Sequence, residues 1–205
     1  MLAGVHVVLD LGGVLLRWRP LELVRRALPH RAGDAERLAR SIFGHPDGEW
    51  SRFDRGLLDA DGVVAGIVGR TDLTPDDLHA VLAQVPAELV PVPATVALLE
   101  RLHGRGTPVF YLSNMPAPHA DRLEAEHAFF GLFADGVFSG RVHLAKPDPA
   151  IFRLAQDRFG VPAADLLFLD DHAPNVDAAR SAGWQALLFT DAAACEAELA
   201  VRGLL

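Results

Sequence analysis

"HVVLDLGGVLLRW", His6–Trp18, sets an acid at the end of an apolar run and follows it with a glycine pair. Val5–Leu9 is short and rich in β-branched residues, the composition of a strand buried on both faces. Asp10 then stands at its carboxyl end, and Gly12-Gly13 lets the backbone turn tightly and present N–H groups to an anion. Two later stretches repeat the pattern. "PVFYLSN", Pro108–Asn114, ends in Ser113-Asn114, and "DLLFLDD", Asp165–Asp171, ends in Asp170-Asp171. Gly136–Ser139 and Gln185–Phe189 are weaker strand candidates. Helical patterns fall between them. Val96, Leu99 and Leu102 share a face before Gly104 and Gly106; Pro149, Ile151, Phe152, Ala155 and Phe159 do so before Gly160; Val176, Ala179 and Ala182 precede Gly183. This alternation predicts an α/β fold, a parallel sheet with helices on both faces.

Residues 18–87 break the rhythm, with helical stripes and no convincing strand. Leu21, Val24 and Leu28 make one stripe, Leu38 and Ile42 with the offset Ala39 and Phe43 a second, and Val63, Val64, Ile67 and Val68 a third. Thr74-Pro75-Asp76-Asp77 reads as a helix start, with Thr74 as N-cap and Asp77 three residues on. Three prolines between Pro86 and Pro93 suggest a hinge or linker. The expected organisation is therefore an α/β core from residues 1–17 and 88–205, with a helical cap, 18–87, inserted after the first strand. The Ala-rich stretch Asp191–Ala200 reads as a last helix.

Half of the 205 residues are hydrophobic, enough for a sizeable core. The net charge of −8 and the lack of any Lys/Arg run argue against nucleic acid or anionic membrane as partners. The single cysteine, Cys195, excludes an internal disulfide and fits a reducing compartment. With no apolar run of membrane-spanning length and no basic leader, the expectation is a soluble cytoplasmic protein of undetermined oligomeric state.

In a parallel sheet the carboxyl ends of all strands share one edge, where open α/β sheets bind ligands. Asp10, Ser113 and Asp170 can converge there. Two carboxylates about 4 Å apart repel by about 4 kcal/mol at an effective dielectric near 20. Either some hold protons or a cation sits among them. Oxygen donors without His or Cys favour a hard ion such as Mg²⁺, which bridges readily to phosphate. Lys146 in "LAKPDPAIF" adds positive charge for an anion, beside a helix start. These parts describe a site for a phosphate ester with Mg²⁺, with Asp10 as a nucleophile.

"DLGGVL" (Asp10–Leu15), "LSN" (Leu112–Asn114), "AKPDPAIF" (Ala145–Phe152) and "FLDDHAPNVDAARSAGW" (Phe168–Trp184) follow the order and rough spacing of the haloacid dehalogenase-like (HAD) hydrolases. The chain most resembles their capped phosphatase branch, which includes glucose-1-phosphate phosphatases and the N-terminal phosphatase domain of soluble epoxide hydrolases. The resemblance implies that Asp10 attacks phosphorus and forms an aspartyl-phosphate. It implies that Ser113 and Asn114 hold the phosphoryl oxygens and that Lys146 neutralises nucleophile and phosphate. Asp171 and the Gly12 carbonyl would bind Mg²⁺ together with Asp10, with Asp170 as second ligand or water anchor and Asn175 in support. Trp18 and Trp50 are candidates to line the substrate pocket. One departure stands out: Gly12 occupies the place of the family's second aspartate, which protonates the leaving group. A cap residue, His45 or Asp54, is a candidate replacement. The expected activity is Mg²⁺-dependent hydrolysis of a small phosphorylated metabolite, with a sugar phosphate as one candidate. The alternatives are a metal-independent 2-haloacid dehalogenase and a non-catalytic module that binds phosphate ligands.

Overall fold

The structure is a computed structural model that describes residues 4–205. Five parallel strands form one sheet in the order β3-β2-β1-β4-β5: β1 His6–Leu9, β2 Val109–Ser113, β3 Asp135–Phe138, β4 Leu166–Asp170 and β5 Gln185–Leu188. β1 is central, with Val7 opposite both Val109 and Leu167. Both faces are apolar because both are covered. Val7, Leu9, Tyr111 and Leu169 belong to one core, while Val8, Phe110, Leu112 and Phe168 belong to a second on the opposite face. This is the near-continuous hydrophobicity that parallel strands require.

Between β1 and β2 the chain is helical: α1 Pro20–Ala27, α2 Ala35–Phe43, α3 Glu49–Asp54, α4 Ala60–Val68, α5 Pro75–Glu88 and α6 Pro93–Gly104. The first five pack mainly on one another through the stripes seen in sequence, with Leu23, Val24, Leu38, Ile42, Val63 and Ile67 buried. The Thr74 capping box forms: its hydroxyl accepts from Asp77 N, and the Asp77 carboxylate accepts from Thr74 N. α7 (Ala117–Glu126) and α8 (Ser139–Val142) flank β3. α9 (Pro149–Phe159), ended by Gly160, precedes β4; α10 (Ala173–Ser181) and α11 (Ala192–Val201) flank β5. Cys195 is buried on α11. Among the described residues, no helix is long and apolar enough to cross a membrane.

Two local expectations need correction, and one feature is new. Ser139 does not end β3 but begins α8. Its carbonyl accepts from His143 N, and its hydroxyl lies between Met115 N and Asp54 O, so it serves loop anchoring rather than the strand ladder. The 86–93 stretch is not one linker, since α5 continues through Pro86 to Glu88. Proline removes one intrahelical bond, but Leu89 N closes the last turn on Val85 O. Glu88, fully buried, meets Arg17 and Arg19 at 3.0 Å each and Arg26 as well. Finally, the two chain crossings between core and helical segment run side by side. Arg17 N bonds Val90 O at 2.8 Å, and Val92 N bonds Leu15 O at 2.9 Å.

Candidate active site

The carboxyl ends of β1, β2 and β4 open onto a cavity of about 460 Å³ that the helical segment covers. Asp10, immediately after β1, is almost fully buried there. Its Oδ1 accepts from Leu11 N at 2.7 Å and lies 2.9 Å from Lys146 Nζ. Lys146 precedes α9, whose first turn is capped by the Asp148 side chain on Ala150 N. Its ammonium also meets Asp170 Oδ2 at 2.7 Å. Asp170, the last residue of β4, has no exposed surface. Oδ1 accepts from His172 N at 2.8 Å and from Asn175 Nδ2 at 3.0 Å, and Oδ2 accepts from the same amide at 3.0 Å.

Carboxylate oxygens of Asp10, Asp170 and Asp171 lie within 4.8 Å of one another. Asp171 is the exposed member and lines the cavity. Gly13 makes room for it. Gly13 has φ +82°, and a Cβ there would fall 2.1 Å from Asp171 Oδ2. Its own N–H bonds Leu16 O at 2.8 Å, which closes the turn after β1.

The charges respond to this crowding. Burial first, with the charges of Asp170 and Asp171 adding to it, pushes Asp10 up to about 8 despite Lys146. Burial, followed by the charge of Asp170, also raises Asp171. Asp170 goes the other way: burial opposes ionisation, but Lys146 outweighs it and holds the carboxyl below its usual range. Burial would likewise pull Lys146 down, but Asp10 and Asp170 hold the ammonium above its ordinary value. One ammonium, Lys146, thus faces both Asp10 and Asp170, and without a further cation Asp10 and Asp171 are driven toward holding their protons. Asp10, Asp170 and Asp171 form an all-oxygen donor group that fits a hard divalent cation.

Of the residues singled out in sequence, Asp10, Gly12, Trp18, Trp50, Asn114, Lys146, Asp171 and Asn175 line this cavity, as do His45 and Asp54. Ser113 and Asp170 do not line it; both are buried at the strand ends beneath it. Asn114 is committed to the protein itself. Its Oδ1 accepts from Lys146 N and its Nδ2 donates to Lys146 O, both at 2.9 Å, so it clamps the lysine's backbone and leaves one amide proton free. Asp54, at the end of α3, is half-buried, and its carbonyl accepts from Ser139 Oγ, which ties α3 to the core. Burial, then the charge of Asp10, raises the Asp54 carboxyl to about 8. His45 lines the cavity from an exposed position.

The sequence reading missed Phe43, Leu89, Met115 and His119 as lining residues. Phe43 sits on an apolar helical stripe that reads as core. His119 has no periodic signal; its Nε2 is buried without a partner, and its ring stands edge-on to Phe53 at 5.8 Å.

The model of the haloacid dehalogenase-like hydrolase family matches residues 6–183. The chain belongs to that family. The hydrolase is 29% identical to the sesquiterpene phosphatase astK of Aspergillus oryzae over 94% of its own length and 93% of the relative's. It is 30% identical to the drimenol cyclase drtB of Aspergillus calidoustus over 89% of its own length, which is 33% of that longer protein. Its fold is shared with a HAD family enzyme, BT-2542, of Bacteroides thetaiotaomicron, solved with magnesium and inorganic phosphate. That match has a TM-score of 0.66 at 22% identity and covers 92% of this chain and 96% of the other. The L-2-haloacid dehalogenase of Xanthobacter autotrophicus also shares the fold, with a TM-score of 0.68 at 20% identity and coverage of 97% and 83%.

Proposed function

We propose that this hydrolase is a Mg²⁺-dependent phosphomonoesterase that works through an aspartyl-phosphate on Asp10. The observation that carries the reading is the gathering of Asp10, Asp170 and Asp171 within 4.8 Å of one another around a single ammonium, Lys146 Nζ, 2.9 Å from Asp10. A cation held by Asp10, Asp171 and the Gly12 carbonyl would supply charge neutralisation for nucleophile and phosphoryl oxygens. The phosphatase astK, alike over nearly the whole of both chains, supports the same reading.

The remaining work falls to the chain's own side chains. An Asp10 oxygen attacks phosphorus while the ester P–O bond breaks. Lys146 keeps Asp10 fixed and offsets charge on the phosphoryl group, while Asp170 and Asn175 hold Lys146 in place from below. The departing alkoxide takes a proton from Asp54, which retains one at neutral pH. Asp54 then accepts a proton from the water that attacks the phosphoenzyme, releasing inorganic phosphate and restoring both carboxyl groups. Ser113 supports the phosphoryl site from the end of β2. Residues 18–87 act as the cap that closes over substrate and excludes water.

Asp10→Asn tests this directly. It is expected to abolish Mg²⁺-dependent release of phosphate from p-nitrophenyl phosphate while leaving the circular dichroism spectrum unchanged. A variant that keeps most of the wild-type rate removes Asp10 from the mechanism. Gly12 favours a second reading, since it leaves the place of the family's second acid empty. The (S)-2-haloacid dehalogenase of Pseudomonas fluorescens is 28% identical over 53% of this chain. Chloride release from 2-chloropropionate, unaffected by EDTA, would establish that reading instead.

A further inference from the structure

The cavity lining has two chemically different parts. One holds the charged groups already described. Beside them, starting next to Gly12, the lining is aromatic: Trp18 and Trp50 stack with centroids 5.9 Å apart and planes 20° apart. Phe43 stands edge-on to both, at 5.4 Å from Trp18 and 4.7 Å from Trp50. These rings come from three separate stretches: the crossing after β1, the end of α2, and α3. Leu89 and Met115 extend the wall. Trp18 and Phe43 are only half-buried, so each leaves ring surface free on the cavity side.

What the wall lacks is equally informative. Lys146 is the one lysine or arginine among the described lining residues, against the carboxyl groups of Asp10, Asp54 and Asp171. A second phosphate would meet repulsion there. The lining amides, Asn114 and Asn175, both sit at the floor and are bonded to Lys146 and Asp170. His45, Ser51, Asp54, His119 and His172 add polar groups to the lining, but the packed rings of Trp18, Phe43 and Trp50 present a surface that a sugar's hydroxyls would leave unused.

We propose that the leaving group is an extended apolar alcohol, so that the substrate is an aliphatic or isoprenoid monophosphate seated on Trp18, Phe43 and Trp50. This rests on the phosphatase reading and names its substrate class. Burying each methylene on such a wall is worth up to about a fourfold gain in kcat/KM.

The test is a series of n-alkyl monophosphates from ethyl to dodecyl, with farnesyl monophosphate, glucose 1-phosphate and acetyl phosphate, all with Mg²⁺. The expected result is a kcat/KM that climbs with chain length to a plateau and exceeds that for glucose 1-phosphate. Phe43→Gln should flatten the climb while Phe43→Leu keeps it. A flat series, or a preference for the sugar phosphate, overturns the proposal while leaving a phosphatase in place. Absence of hydrolysis from every compound overturns the phosphatase reading instead. The seat is then judged by quenching of tryptophan fluorescence with dodecylphosphonate. Saturable quenching lost in Phe43→Gln keeps the apolar seat, and no quenching removes it.

Discussion

At Gly13 one methyl group decides where Asp171 can stand. The left-handed φ disfavours any side chain, and a Cβ would occupy the space of the Asp171 carboxylate. Gly13→Ala is therefore expected to weaken Mg²⁺ activation by about tenfold or more, read as the metal concentration for half-maximal rate. Gly12 differs: a Cβ there would lie 3.8 Å from Trp18 Cβ, an ordinary contact, so its missing side chain is a chemical choice and not a backbone requirement. The proton must come from elsewhere, and Asp54 gives that idea a signature. Asp54→Asn should lower kcat for an alkyl phosphate by about 10²–10⁴; with p-nitrophenyl phosphate, whose phenolate leaves unaided, it should leave a fast first release of phenolate and slow only the later turnovers, which need Asp54 as base. Because the Asp54 carboxyl is raised to about 8, it is protonated below that pH and loses its proton above it. The wild-type rate on alkyl phosphates should accordingly fall as pH rises through about 8, and that fall should vanish in the variant. Asp10, Lys146 and Asp170-Asp171 were legible in sequence because an acid or lysine that interrupts an apolar run conflicts with burial unless partnered. Phe43 and Met115 were not, since an apolar residue in an apolar pattern looks the same whether it faces a neighbour or a cavity.

The elements between the strands show the same division. α1, α2, α4 and α5 were readable as stripes, since each must bury one face. α3 and α7 were not: α3 spans only Glu49–Asp54, and α7 buries little beyond Ala120 and Leu123. Pro86 misled for a physical reason, because local propensity is outweighed when tertiary contacts hold the turn. Glu88 supplies those contacts by gathering Arg17, Arg19 and Arg26 where both crossings meet. The arginines remain a third to a half exposed, so solvent screens the cluster and its worth is well below that of a dry ion pair. Glu88→Gln should cost about 1–2 kcal/mol in urea unfolding. It should also raise KM more than it changes kcat, because the cap would lose its fixed orientation over the floor.

For the whole molecule the crowded carboxylates set a pH dependence. Asp10, Asp54 and Asp171 are all raised, so between about pH 4 and pH 8 the folded protein holds protons that the unfolded chain has released. Stability without metal must fall as pH rises through that window. Asp170 acts only at the acid side, where its lowered value makes stability fall as pH drops, and Lys146 acts only at the far alkaline side. Melting temperatures measured in EDTA should decrease from pH 5.5 to pH 8.5, and added Mg²⁺ should recover more at pH 8.5 than at pH 5.5. Equal shifts at both values would mean that no cation joins Asp10 and Asp171. The sheet was foreseeable because β1, β2 and β4 are apolar on both faces, while its order was not, since periodicity says nothing about which strand neighbours which. That order places β1 between β2 and β4, which lie far along the chain from it, with Val7 opposite Val109 and Leu167. Such long-range pairing is paid for in loop-closure entropy before it stabilises anything. Asp10 and Asp171 therefore meet only once β4 has paired beside β1, so any chemistry that needs both must wait for the sheet to close.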